Sequence, residues 1–149
     1  MAEEKQNIEQ KKEVVVKSAE KTEKKKIFAR GKDSPISSKH SIAICRMIKN
    51  KKPNEAIKML EEVIAYKRAV PMTGELPHRK GMCSGRYPIN ASKEFIKMLK
   101  NLNANTSNSG VDSSELIIHA SSNLPSRRRS SRKARHFKRT DVLIELKQK

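Results

Sequence analysis

The stretch RRRSSRKARHFKR, residues 127–139, limits the fold more than any other part of the chain. Eight of its thirteen residues are Lys or Arg and none is acidic. Such a run cannot enter a core, because each unpaired charge would lose its hydration. Yet it lies between two runs, ELIIHAS and DVLIEL, that read as β-strands. In the second, Val142, Ile144 and Leu146 alternate with Leu143 and Glu145, the period of a half-buried strand. The pattern predicts a hairpin arm over about residues 116–146 with its charge at the tip.

The arm is long for its support. Leu116 to Arg132 is sixteen residue steps; at roughly 3.3 Å each, an extended arm reaches about 50 Å. A body of about 100 residues has a radius of gyration of roughly 13 Å. The tip is therefore expected to project. A lone two-stranded ribbon is marginally stable, and between Pro125 and Thr140 the only larger apolar side chain is Phe137. A dense polyanion would order it. Six of the eight cations are Arg, whose planar fork donates paired hydrogen bonds to phosphate. An anionic membrane is the weaker partner, since the arm has no apolar face to insert. The plain alternative is a basic linker or localisation signal; flanking strands that hold both ends in register argue against it.

The rest of the chain agrees. It has 149 residues, a formal net charge of +18 and a pI near 10.2, which favours a polyanionic partner. There is no run of eighteen apolar residues and no apolar signal core near the start, so a cytosolic protein is expected. Cys45 and Cys83 lack CxxC spacing and are expected to be reduced and structural. Five aromatics are too few for a sheet-borne stacking platform, which leaves phosphate contacts and shape.

Residues 1–25, rich in Lys, Glu and Gln, cannot bury enough apolar surface to offset chain entropy and are expected to be a disordered tail; residues 26–149 form the domain. KKIFAR, 25–30, is a short strand candidate. Within 34–50, Ser34-Pro35 marks a turn and Ser37 or Ser38 caps a helix, with Ile42, Cys45 and Ile48 on its apolar face and Ile44 and Met47 widening it. A second begins at Pro53 with Ile57, Leu60 and Ile64 inward, and the short connection makes the two helices neighbours. Residues 68–88, with three prolines and three glycines, read as a long basic loop whose backbone N–H groups suit phosphate. A third helix, capped by Asn90, carries Phe95, Met98, Leu99 and Leu102 at i, i+3, i+4, i+7 and a stripe of Lys93, Lys97 and Lys100. NTSNSGVDSS, 105–114, is turn chemistry. The result is an α+β fold, helices packed on a small antiparallel sheet.

Catalytic motifs are missing: no GxxxxGK[ST], no GxGxxG, no HExxH. His40, His78, His119 and His136 are scattered, and His78 with Cys83 does not make a zinc site. No enzymatic activity, cofactor or metal is expected, which sets aside an RNA-processing enzyme. The main rival is a DNA-binding or nucleoid-associated basic protein, since the first two helices resemble a helix-turn-helix. The second, however, carries Glu55, Glu61 and Glu62, which would repel phosphate in a groove.

ISSKHSIAICRMIKNKKPNEAIKMLEEVIAYKRAVP, then HRKGMCSGRYPINASKEFIKMLKNLNAN, then LIIHASSN and the basic arm resemble the universal large-subunit ribosomal protein family twenty-two, in its archaeal form. The resemblance runs from about Ile27 onward. It implies three helices on a three-stranded antiparallel sheet with a long protruding β-hairpin, and a structural part in the large ribosomal subunit. It further implies contact with large-subunit rRNA and neighbouring subunit proteins, and help in assembly. By the same resemblance, Arg127, Arg128, Arg129, Arg132, Lys133, Arg135, Lys138 and Arg139 of the arm contact rRNA, as do Lys39, Arg79, Lys80 and Arg86 of the body. Ser130, Ser131, Arg132, Lys133, Ala134 and Arg135 would be the tip, lining the peptide exit tunnel beside the nascent peptide. Two departures stand out. Residues 126–139 hold neither Gly nor Pro, which family tips often include, and Thr140-Asp141 stands where relatives often have Thr-His. If each of the eight arm cations neutralises one phosphate, log K for RNA should fall with log salt at a slope of roughly −6 to −7, measurable by filter binding across a salt series.

Overall fold

The computed structural model describes residues 27–73, 79–110, 116–125 and 136–148. In chain order the elements are β1 (Phe28–Ser34), α1 (Ser38–Ile48), α2 (Pro53–Ile64), β2 (Val70–Pro71), β3 (Gly85–Arg86), α3 (Ile89–Asn108), β4 (Leu116–Asn123) and β5 (Thr140–Gln148). The main sheet is antiparallel with strand order β1-β5-β4, and β2 pairs with β3 in a second, two-stranded ladder. The α+β class is as expected. The tail over 1–25 and the turn over 111–114 lie outside the described residues, as does the arm over 126–135.

β5 occupies the centre of the sheet. Its Val142, Ile144 and Leu146 are buried, as the alternation predicts. They join Ile118 of β4, Phe95, Leu99 and Leu102 of α3, Ile44 and Ile48 of α1, and Leu60 and Val63 of α2 in one core. β4 follows β5 in unbroken register from Leu116↔Gln148 to Asn123↔Asp141. β1 runs past the expected Arg30 to Ser34, because β5 supplies a ladder from Phe28↔Glu145 to Gly31↔Val142 and again at Ser34↔Thr140. The slip between these pairs is a β-bulge, with Asp33 in the left-handed region at φ 53°.

The helices depart from the sequence reading in instructive ways. α1 begins after Ser37 as predicted, yet the Ser37 hydroxyl makes no cap; its carbonyl instead accepts from the Ser41 N–H (2.9 Å) and Ser41 hydroxyl (3.1 Å). The buried face is Ser41, Ile44, Cys45 and Ile48, so Ile42 is turned outward and is 41% exposed. α2 starts at Pro53 but buries Ala56, Leu60 and Val63, leaving Ile57 and Ile64 half-buried. Nor are α1 and α2 packed mainly on each other: α1 lies chiefly on β4, and α2 on α3. Their linker is instead bonded to the outer edge of β4. The Asn50 N–H donates to the Ile118 carbonyl and the Ile118 N–H to the Lys51 carbonyl, each at 2.9 Å. Asn50 makes the bend at φ 62°, a conformation Asn tolerates better than most residues.

α3 is capped by Pro88, not Asn90: the Pro88 carbonyl accepts from the Ser92 N–H at 2.9 Å. It also continues to Asn108 through residues expected to turn. Thr106 is buried and gives its hydroxyl to the Leu102 carbonyl (2.7 Å), while the Asn105 amide donates to the Phe28 carbonyl (3.2 Å). These tertiary contacts outweigh the low helix propensity of the segment. Gly110, at φ 67°, follows the last turn. Phe95, Met98, Leu99 and Leu102 are buried as predicted, and Lys93, Lys97 and Lys100 face solvent. Among the described residues no helix is long and apolar enough to cross a membrane. Because Ile44 is fully buried and Ile42 is not, Ile44→Ala should cost about 2–5 kcal/mol in urea denaturation and Ile42→Ala less than about 1 kcal/mol.

Candidate nucleic-acid interface

A cleft of about 820 Å³ opens between α1, the β2–β3 ladder and the residues entering β5. Lys39 and Arg46 reach it from α1, Arg86 from β3 and Lys138 from the chain just before β5. Among the described residues lining it there is no carboxylate, and Lys39, Arg46 and Lys138 make no ion pair with any described residue. Between these cations lie Ile42 and Met47 of α1 and Met72 beyond β2. A smaller hollow of about 350 Å³ shares Ser37, His40 and Lys138 with the cleft and continues to Tyr87. Four cations converge on one concavity, and three of them, Lys39, Arg46 and Lys138, have no ion-pair partner among the described residues; such a positive field suits a polyanion.

His40 sits at the junction of the two hollows. Burial, and then the charges of Arg86 and Lys138, push its pKa below the ordinary 6.5. At neutral pH it is therefore an uncharged imidazole with one donor and one acceptor nitrogen. Cys45, on the opposite side of α1, has its thiol pushed up to about 12 by burial, which keeps it protonated and inert.

The root of the arm is fixed to the body beside the cleft. Thr140 is buried and donates its hydroxyl to the Ile36 carbonyl at 2.9 Å. Asp141 accepts from the Asp33 N–H at 2.8 Å, across the bulge between β1 and β5. The departure from Thr-His at 140–141 thus supplies the bond that closes the bulge. Arg139 places its guanidinium over the Phe137 ring, 5.8 Å from the centroid, and donates to the Asp33 carbonyl at 3.4 Å. Lys138 points into the cleft.

A second cationic cluster stands on the 79–87 segment. Arg79 lies over the Tyr87 ring (5.3 Å to the centroid), and Tyr87 packs on Tyr66 with centroids 5.3 Å apart. Tyr66 is 63% exposed. Lys80 is exposed in the tight turn closed by the Arg79↔Met82 bridge.

Of the residues singled out in sequence, Lys39, Arg86 and Lys138 come together in the cleft. Arg79 and Lys80 form their own cluster, and Arg139 is turned toward the backbone of β1. Arg127, Arg128, Arg129, Ser130, Ser131, Arg132, Lys133, Ala134 and Arg135 lie outside the described residues, as does His78. Arg46, His40, Ile42 and Met72 were missed. A helical signal existed for the first: Lys39, Ile42, Ala43 and Arg46 fall at i, i+3, i+4, i+7, a stripe complementary to the buried one. The exposed side of α2 carries Glu55 and Glu61, and Glu62 pairs with Arg68 at 2.6 Å, so that helix is not a groove reader.

The sequence profile described as "Ribosomal protein L22p/L17e" matches residues 29–142. The chain belongs to this family. Its L22p/L17e match begins in β1 and ends in β5, enclosing the cleft and the arm root. Archaeal relatives each named "Large ribosomal subunit protein uL22" agree. That of Archaeoglobus fulgidus is 43% identical over 102 residues, 64% of this chain and 66% of that protein. That of Methanoregula boonei is 39% identical over 106 residues, 64% and 69% of the two chains. That of Ignicoccus hospitalis is 35% identical over 120 residues, 74% and 73%. The match spans about two thirds of the relatives' own length. L22p/L17e proteins are structural, not enzymatic. For His40 the sign of pH linkage follows from its lowered pKa. The stability it contributes is complete above 6.5 and is lost as pH falls through 6.5 toward the folded value. Chemical denaturation at about pH 7.5 and about pH 5.5 should show His40→Gln losing less stability on acidification than the parent chain.

Proposed function

We propose that this chain is a structural constituent of the large ribosomal subunit in the cytoplasm. It binds large-subunit rRNA through two surfaces, the cleft of Lys39, Arg46, Arg86 and Lys138 and the cationic arm that begins at Lys138, and it aids the folding of that rRNA. The arm projects as a hairpin, Arg127, Arg128, Arg129, Arg132, Lys133, Arg135 and Arg139 neutralise phosphates along it, and Ser130–Arg135 form a tip that lines the peptide exit tunnel beside the nascent peptide. Arg79 and Lys80 add contacts from their own cluster, and neighbouring subunit proteins complete its surroundings.

One observation supports this reading above the others: the L22p/L17e match encloses a concavity whose lining cations have no carboxylate beside them among the described residues. A phosphate backbone is the partner that supplies negative charge at matching density. The pairing of β4 with β5 adds support, since it brings Asn123 opposite Asp141 and leaves the densest charge between two paired strands. Deletion of Arg127–Arg139 should leave the far-ultraviolet circular dichroism of the helical body intact and prevent the protein from entering large subunits on sucrose gradients. Large subunits of normal sedimentation and yield that contain the deleted protein would refute an assembly role.

A further inference from the structure

We infer that the cleft between α1, β3 and the start of β5 receives a single unpaired rRNA nucleotide, with its base against the apolar wall and its phosphates on the cationic rim. This rests on the ribosomal reading above and assigns one contact within it.

The composition of the wall is the reason. A surface built only for phosphate needs cations and backbone donors. This cleft also presents Ile42, 41% exposed on a helix whose opposite face is fully packed. Met47 and Met72, both half-buried, and Pro71 extend the same apolar strip. An RNA duplex keeps its base faces stacked and presents phosphate, ribose and base edges. Set in the cleft, it would bring charged backbone against the strip and leave Ile42 without an apolar partner. A splayed-out nucleotide fits both parts: its base face covers the strip while its flanking phosphates reach the cations on either side. Lys39 and Arg46 stand on the α1 wall, and Arg86 and Lys138 on the facing one. The volume, about 820 Å³, lies within the range of roughly 300–1,000 Å³ that encloses small ligands. That volume accommodates one nucleotide.

His40 adds a polar contact at the end of the strip. Kept uncharged by burial and by Arg86 and Lys138, its imidazole pairs with a group that both donates and accepts, such as a ribose 2′-hydroxyl or a base edge. Methionine suits such a wall, because its flexible, polarisable chain adapts to a flat aromatic face.

The test uses the full chain with ¹³C-labelled methionine and isoleucine methyl groups. It is titrated with a short single-stranded RNA and, at matched salt, with a duplex of the same length. The single strand should produce ring-current shifts at the methyls of Met47, Met72 and Ile42; the duplex should not. Ile42→Ala, which removes exposed apolar surface only, should weaken single-strand binding by several fold to roughly tenfold while leaving duplex binding unchanged. Equal shifts with both RNAs, or bound single strand without shifts at these methyls, would overturn the proposal. Its fate is separable from that of the ribosomal reading. A chain that enters large subunits but shows no methyl shifts keeps that reading and loses this contact. Single-strand-specific shifts in a chain absent from large subunits do the reverse.

Discussion

β5 is the one strand of the main sheet paired with a strand on each side, and the arm root and its side of the cleft depend on it. Its inward residues Val142, Ile144 and Leu146 tie it to the core. Its first residues are the root of the arm, bonded to β1 and to the segment before α1 through Asp141 and Thr140. Burial of the hydrophobic face thus fixes the register, the register fixes the root, and the root places Lys138 in the cleft. A slip of one residue in β5 would turn Lys138 away and expose the core residues together.

Electrostatics divides the body into two sides. The acids of α2 lie on a surface apart from the cleft, and Glu62 and Glu94 are already taken by Arg68 and Lys97. Lys39, Arg46 and Lys138 have no such partner among the described residues. Exposed ion pairs contribute little to stability, so leaving these cations unpaired costs the fold little. A phosphate group placed between them would offset their mutual repulsion.

Much of this was legible in the sequence. The period of two in 142–146 and the i, i+3, i+4, i+7 pattern of Phe95, Met98, Leu99 and Leu102 identified the central strand and the longest helix, because both patterns are long and unambiguous. In α1 and α2 the reading of the apolar face is right for Ile44, Cys45, Ile48 and Leu60, which are buried, and off for Ile42, Ile57 and Ile64, for a common reason. Each helix has apolar residues on more than one side, and periodicity alone does not say which side meets the sheet. In α1 the excess residue, Ile42, belongs to the cleft. The continuation of α3 through Thr106 was hidden because Asn, Thr and Ser favour turns locally, and only contacts with β1 and burial reverse that preference. Asp141 gave no signal at all, since its role depends on a bulge whose existence is known only from the strand register.

The bonds between the α1–α2 linker and β4 have an effect outside recognition. A free strand edge is a template on which another chain can add, and proteins guard such edges with covering loops or charge. Here Asn50 and Lys51 occupy Ile118 from outside, while β1, at the opposite edge, displays Arg30, Lys32 and Asp33 and is interrupted by its bulge. With one edge covered at Ile118 and the other charged and bulged, the sheet offers a second copy little template for strand addition, whatever the chain's net charge of +18 is neutralised by.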